Sequence, residues 1–401
     1  MSAGVLSAFG GFGIELEYAI VERESLNVLP IADQLLAAAA GQATSALERG
    51  PLAWSNELSL HVIELKTNGP APSLDGLADL FSAELDSIDA LLAPFGARIL
   101  PCAMHPWMDP TTERALWPHE QNEIYRAYDR IFGCGGHGWV NLQSMHINLP
   151  FASDAEFVRL HTAIRTVLPL LPGLAAASPY ADGRATGLLD TRLDVYRRNQ
   201  ARVPEITGAV VPEAITSIDA YHGRILEPLN RAIAPLDPEG VLHGEWLNSR
   251  GAIARFERDA IEIRVLDTQE SPQADLAVAA LVIAAVRERY EAGDKALKAQ
   301  LALPTEALAQ IFNDCVRDGE AALVADMDYL TTLGLPRVPL TAGQIWTALS
   351  ARNGQEERRA PGRQTLARRL LQRGGMAPDR ETLRSIYREL IAARVSGGVF
   401  V

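Results

Sequence analysis

The sequence predicts an α+β fold, a mainly antiparallel sheet with flanking helices on one side. Before about residue 275, short β-type runs are interspersed with helical stretches and Gly/Pro-rich turns. The two kinds of element do not alternate regularly, which disfavours a doubly wound parallel sheet. Beyond that point the pattern is mostly helical.

The elements follow from their periodicities. Ile14–Val21 reads as a strand because Ile14, Leu16, Tyr18 and Ile20 alternate with Glu15 and Glu17. Leu58–Thr67 and Ala97–Cys102 carry the next strand patterns. In Ser144–Leu149, His146 and Asn148 lie opposite Met145, Ile147 and Leu149; in Ala260–Asp267, Glu262 and Arg264 lie opposite Ile261, Ile263 and Val265. Helical spacing predicts helices over Ile31–Ala40, Leu74–Leu92, Asp154–Leu171, Ile215–Ala234, Asp275–Ala292 and Thr305–Gly319. A core-building unit over residues 1–290 and a helical C-terminal extension over 291–401, packed on it, are expected.

The 401 residues are ample for a large core, and a 48% hydrophobic, 22% charged composition is that of a globular chain. A formal charge of −13 argues against a nucleic-acid or anionic-membrane partner. It leaves room for a nucleotide, because bound metal ions can reverse the sign locally. The first basic residue is Arg23, so a secretory signal is not expected, and the apolar run Leu276–Val286 is too short to span a bilayer. Cys102, Cys134 and Cys315 are too few and too scattered for a disulfide framework or zinc site, and a cytoplasmic location is expected. The segment after Ala351 holds eleven arginines, no lysine and five acidic residues. Leu366, Leu370 and Leu371 could form its apolar stripe. That pattern suits an amphipathic helix packed on the body, or else a phosphate, nucleic-acid or partner surface.

Chemistry concentrates on four segments. Glu15 and Glu17 share a strand face roughly 7 Å apart and repel each other unless a cation sits between them. Oxygen donors favour magnesium or manganese over zinc. Glu57 and Glu64 are separated by an odd number of residues, so only a turn or bulge could bring them to one face. His61 reads as structural or surface. His146 could be a ligand or a satisfied structural residue. Glu262 and Arg264 could be an ion pair, or a metal ligand beside a phosphate-steadying guanidinium. Gly133, Gly135, Gly136 and Gly138 make a turn or a mobile loop over a site, and no G-x-x-x-x-G-K-[ST] phosphate loop occurs.

Taken together, Gly13-Ile14-Glu15-Leu16-Glu17, the Glu57/Glu64 pair with Leu65-Lys66-Thr67, Ser144-Met145-His146-Ile147-Asn148, and Ile261-Glu262-Ile263-Arg264 with Asp267 resemble glutamate–cysteine ligase family 2 and its carboxylate–amine ligase relatives. Ser178-Pro179-Tyr180 with Gly183, Gly187 and Arg192 is similar to a substrate-side loop of that group. The resemblance covers about residues 10–290. His137-Gly138-Trp139 and Trp246-Leu247-Asn248-Ser249-Arg250 look particular to a subgroup. The resemblance implies a glutamine-synthetase-like fold, a curved antiparallel sheet whose concave face holds ATP, metal ions and an acid substrate. Glu15, Glu17, Glu57, Glu64, His146 and Glu262 would then bind Mg2+ (or Mn2+), with Arg264, Arg255 and Arg250 on the ATP phosphates. Catalysis would fall to Arg264, Glu262 and Arg255. The substrates implied are a small acid and an amine, with glutamate and an amino acid as candidates, and a homodimer is compatible. The implied activity is ATP-dependent amide formation through an acyl phosphate. The rivals are a phosphotransferase or amidase of the same fold, or a silent, nucleotide-binding regulator.

Overall fold

The computed structural model describes residues 4–242, 244, 247–354 and 364–401. Trp246 lies outside these residues, as do Arg358, Arg359 and Arg363 of the arginine-rich tail. In chain order the first ten strands are β1 (Gly13–Glu22), β2 (Ala46–Arg49), β3 (Leu52–Asn56), β4 (Val62–Thr67), β5 (Ala97–Leu100), β6 (Ser144–Pro150), β7 (Tyr180–Ala181), β8 (Arg184–Ala185), β9 (Ala252–Arg255) and β10 (Ala260–Asp267). Eight of them form one sheet in the order β2-β3-β4-β1-β6-β10-β9, with β5 paired to the far end of β1. Every pairing in it is antiparallel. Strands β7 and β8 form a separate hairpin.

One face of this sheet is apolar because its strands alternate. Ile14, Leu16, Tyr18, Trp54, Ile63, Leu65, Met145, Ile147, Leu149, Ile261 and Ile263 are all fully buried in one core. Burying each such side chain contributes roughly 1.5–3 kcal/mol. The helices Leu77–Leu92, Asp154–Val167 and Pro272–Glu291 share that core. Helix Pro272–Glu291 is apolar nearly all round because it is the central helix of this layer, in contact with both of the others. Its start is fixed by Ser271, whose side chain accepts from the Ala274 amide, and by Pro272 in the first turn. No helix among the described residues is long and apolar enough to cross a membrane.

Several boundaries differ from the sequence reading. The strand expected over Leu58–Thr67 begins only at Val62, because the chain turns through Glu57–His61 after β3. The helix expected over Ile215–Ala234 begins at Ile218 and contains a π-turn at His222–Leu226 before continuing as Glu227–Ile233. Strands β2, β3 and β9 were not foreseen; they are four or five residues long.

The C-terminal residues pack in two places. Leu308, Ile311, Phe312, Ile345 and Trp346 belong to the same core as the sheet, and the Trp346 indole donates to the Leu170 carbonyl at 2.8 Å. Helices Leu366–Gly374 and Arg380–Ser396 build a second core with Ala19, Val21, Leu100, Trp107 and Tyr180. Leu366 and Leu370 are buried there, with Leu371 partly so. Tail arginines are tied to the body. Arg369 pairs with Glu270 at 2.7 Å, Arg368 with Glu320 at 2.9 Å, and Arg394 with Asp89. This is the packed amphipathic helix of the two readings.

Candidate active site

Directly opposed residues of an antiparallel pair point to the same face. The register therefore assembles the site. Glu15 stands opposite His146 on β6 and Lys66 on β4; Glu17 stands opposite Glu64; Glu64 also faces Ser55 on β3; Glu262 stands opposite Asn148. All of these occupy the sheet face turned away from the helical layer. Glu57 reaches it by another route. It lies on the turn after β3, and the reversal there brings its carboxylate beside Glu17 and Glu64 despite the odd spacing.

Single ligand atoms of Glu15, Glu64 and His146 lie within 4.8 Å of one another, and so do those of Glu17, Glu57 and Glu64. Glu64 is common to both groups. The His146 Nδ1 is 3.0 Å from Glu15 Oε2, and the Asn148 amide donates to Glu15 Oε1 at 3.0 Å. Glu17 Oε2 accepts from the Ser144 amide at 2.8 Å and the Ser144 hydroxyl at 3.0 Å. Glu64 Oε2 accepts from Ser55 at 2.5 Å and also from Lys66. At the far edge Glu262 is held by two guanidiniums, Arg264 Nε at 2.8 Å and Arg255 Nε at 2.9 Å, with His146 Nδ1 at 3.7 Å.

Electrostatics show how crowded this face is. Burial and then the neighbouring charges of Glu17 and Glu64 push the Glu57 carboxyl well above the usual range. Burial, followed by the charge of Glu15, pushes Glu64 to about 7 against the opposing pull of Lys66 and Ser55. Burial would raise Glu15 too, but the His146 hydrogen bond and the His146 and Lys66 charges outweigh it and hold Glu15 low. Burial would lower His146, yet its bond to Glu15 and the charges of Glu17 and Glu262 raise it. Four buried or half-buried carboxylates beside one imidazole form a hard, mostly oxygen donor set, which fits Mg2+ or Mn2+.

Aromatic side chains stand beside this surface. The Tyr125 hydroxyl, on helix Asn122–Phe132, accepts from Asn56 at 3.2 Å, and its phenol is raised first by burial and then by Glu57. Tyr128 of the same helix, buried, and Tyr196 of helix Thr191–Tyr196, half-buried, lie within the field of Arg264. Trp139, after the glycine-rich segment, packs on Tyr128 with ring centroids 5.0 Å apart. These tyrosines were missed by sequence reasoning. They come from helices far apart in the chain, and no local pattern marks them.

Not every expected residue reaches this face. Arg250, expected on the ATP phosphates, binds other protein groups instead of the site carboxylates. Its guanidinium is buried and bound twice to Glu213, at 2.6 and 2.7 Å, with Asn248 and the Glu205 carbonyl at 3.2 Å. Its charge acts on His161 and Tyr221, which pack among the aromatic rings of the helical layer. His61 is fully buried and structural, lowered to about 4 by burial. Arg192 is buried and paired with Asp267, which also accepts from the Ala177 amide at 2.7 Å and the Ser178 hydroxyl at 2.8 Å. The Ser178–Arg192 segment is thereby pinned to the end of β10.

Known proteins place this geometry. A glutamate–cysteine ligase from Francisella tularensis, solved in complex with AMP, superposes with a TM-score of 0.60 over 98% of this chain and 90% of its own, at 13% identity. The two chains share the fold built on this antiparallel sheet. By sequence, an Archaeoglobus fulgidus protein of unassigned function is 36% identical over 322 residues, 79% of this chain and 82% of its own. A Bradyrhizobium protein (strain BTAi1), provisionally named glutamate–cysteine ligase 2, is 28% identical over 308 residues, 71% of this chain and 65% of its own. A similarly named Rubrobacter xylanophilus protein is 27% identical over 71% of this chain and 72% of its own. The profile of glutamate–cysteine ligase family 2 matches residues 11–389. The chain belongs to that family, and so to the carboxylate–amine ligases.

Proposed function

We propose that the chain is an ATP- and magnesium-dependent ligase of the γ-glutamyl type, which activates a carboxylate as an acyl phosphate and joins it to an amine. The observation that carries this reading is the convergence of Glu15, Glu17, Glu57, Glu64, His146 and Glu262 on one sheet face, with Arg255 and Arg264 at its edge. The AMP bound to the Francisella protein supports nucleotide binding by this fold.

A carboxylate is a poor acyl donor because oxide is its leaving group. In the first step a carboxylate oxygen attacks the γ-phosphorus, the bond to ADP breaks, and an acyl phosphate forms. In the second the amine attacks the acyl carbon, phosphate leaves, and the amine proton passes to a nearby base. Glu15, Glu17, Glu57, Glu64, His146 and Glu262 would hold magnesium, which offsets phosphate charge when bound. Arg264 and Arg255 are oriented by Glu262 at the edge of the face, where guanidiniums would steady a transferring phosphoryl group.

The test is ADP release across paired acids and amines, with products identified by mass spectrometry. Release that needs both partners, with an amide product, supports the ligase. Release with the acid alone indicates a phosphotransferase, and ATP binding without release a regulatory protein.

A further inference from the structure

Lys66 is the one lysine on the carboxylate face among the described residues. It lies opposite Glu15 and two residues after Glu64, on the same side of β4. Its ammonium binds Glu64 Oε2, the same oxygen that Ser55 holds at 2.5 Å. Glu64 is the carboxylate common to both candidate ligand groups. The Glu15 and Glu57 charges act on the same ammonium. About a third of the lysine side chain is exposed, so it has room to move. A cation attached to the chain thus occupies the shared carboxylate, and its positive charge is aligned against any second cation arriving there.

We propose that Lys66 is an internal counter-ion of the metal-free site, which holds Glu64 against Glu15 and Glu57 and must yield it when a divalent cation binds. Lys66 is then a positioning residue. It keeps the crowded carboxylates folded in place without metal, and it weakens metal binding until an anionic substrate brings further cation affinity. This rests on the metal reading above.

The experiment is Mn2+ titration of the full chain without nucleotide, followed by the electron paramagnetic resonance of free Mn2+. Wild type, Lys66→Met, Lys66→Arg and Glu64→Gln are compared, with melting temperatures in chelator. Lys66→Met should bind Mn2+ more tightly, by about tenfold, since one lost charge pair is worth about that factor. It should also melt lower than wild type in chelator and regain the difference with Mn2+. Lys66→Arg, which keeps the charge, should stay near wild type on both measures, and it carries the test if Lys66→Met does not fold: Mn2+ binding by the arginine variant as tight as that of a neutral Lys66→Gln would overturn the proposal. Unchanged or weaker binding by Lys66→Met overturns the proposal and leaves the metal reading intact, provided wild type binds and Glu64→Gln does not. Absence of Mn2+ binding in wild type and Lys66→Met alike overturns both.

Discussion

Replacing Arg264 with alanine separates a phosphate-contacting role from a scaffolding one. Arg264 holds one oxygen of Glu262 at 2.8 Å, while Arg255 holds the other at 2.9 Å. Removing one guanidinium leaves Glu262 paired with the other, so the stability cost should be that of one lost ion-pair contact, about 2 kcal/mol. With an unfolding entropy of ~2 cal/mol/K per residue, that is a fall of about 2–3 °C in melting temperature for a chain of this length. Turnover should suffer more. A donor aimed at transferring phosphate acts mainly in the transition state, and losing it typically costs roughly 3 kcal/mol, about a hundredfold in rate. The assay compares melting temperature and ADP release per folded molecule for wild type and variant. Near-normal turnover per folded molecule, or a large melting shift that accounts for all the lost activity, would refute the phosphate role.

Further expectations test other parts of the site and its frame. Glu57→Gln removes a carboxyl that burial and Glu17 disfavour as an anion; it should raise the melting temperature in chelator by about 1–2 °C and shrink the gain produced by Mg2+. Arg250→Met leaves Glu213 unpaired and should cost roughly 3 kcal/mol of stability with turnover per folded molecule unchanged; a selective loss of turnover would return Arg250 to the phosphate site. His161 is buried among Phe157 and Tyr221, and burial lowers it to about 3. The unfolded chain therefore binds the extra proton between about pH 6.5 and 3, and stability falls as pH drops through that window, by about 2 kcal/mol at pH 5. His161→Phe should flatten that part of the profile in urea unfolding; an unchanged slope would place the titration elsewhere.

Much of the site was legible because β1 and β6 alternate strictly and β10 does so up to Ile263, so Glu15, Glu17, His146 and Glu262 declare their face from sequence alone; Arg264 lies where the pairing of β10 with β6 slips between Ile263 and Leu266. Glu57 was harder. Parity sets it against Glu64, and only the turn through Glu57–His61 reverses that, a feature that three-dimensional pairing of β3 with β4 decides. Arg250 was assigned from the family resemblance rather than from strand parity, and its bond partners could not be read from the sequence. Gly251 follows it, packed closely on Val265, Leu168 and Val210, and Arg250 departs into the helical layer. The short strands β2, β3 and β9 gain their order from neighbouring strands rather than from a pattern of their own. The tyrosines beside the site come from two helices distant in the chain, a juxtaposition that no local periodicity encodes.

Oxygen transfer tests carboxylate activation most directly. An acid labelled with 18O in its carboxylate is turned over with ATP, Mg2+ and the amine that gives ADP release, and the inorganic phosphate is analysed by mass spectrometry. Activation through an acyl phosphate predicts one 18O from the acid in each phosphate formed. Unlabelled phosphate alongside amide product would contradict it.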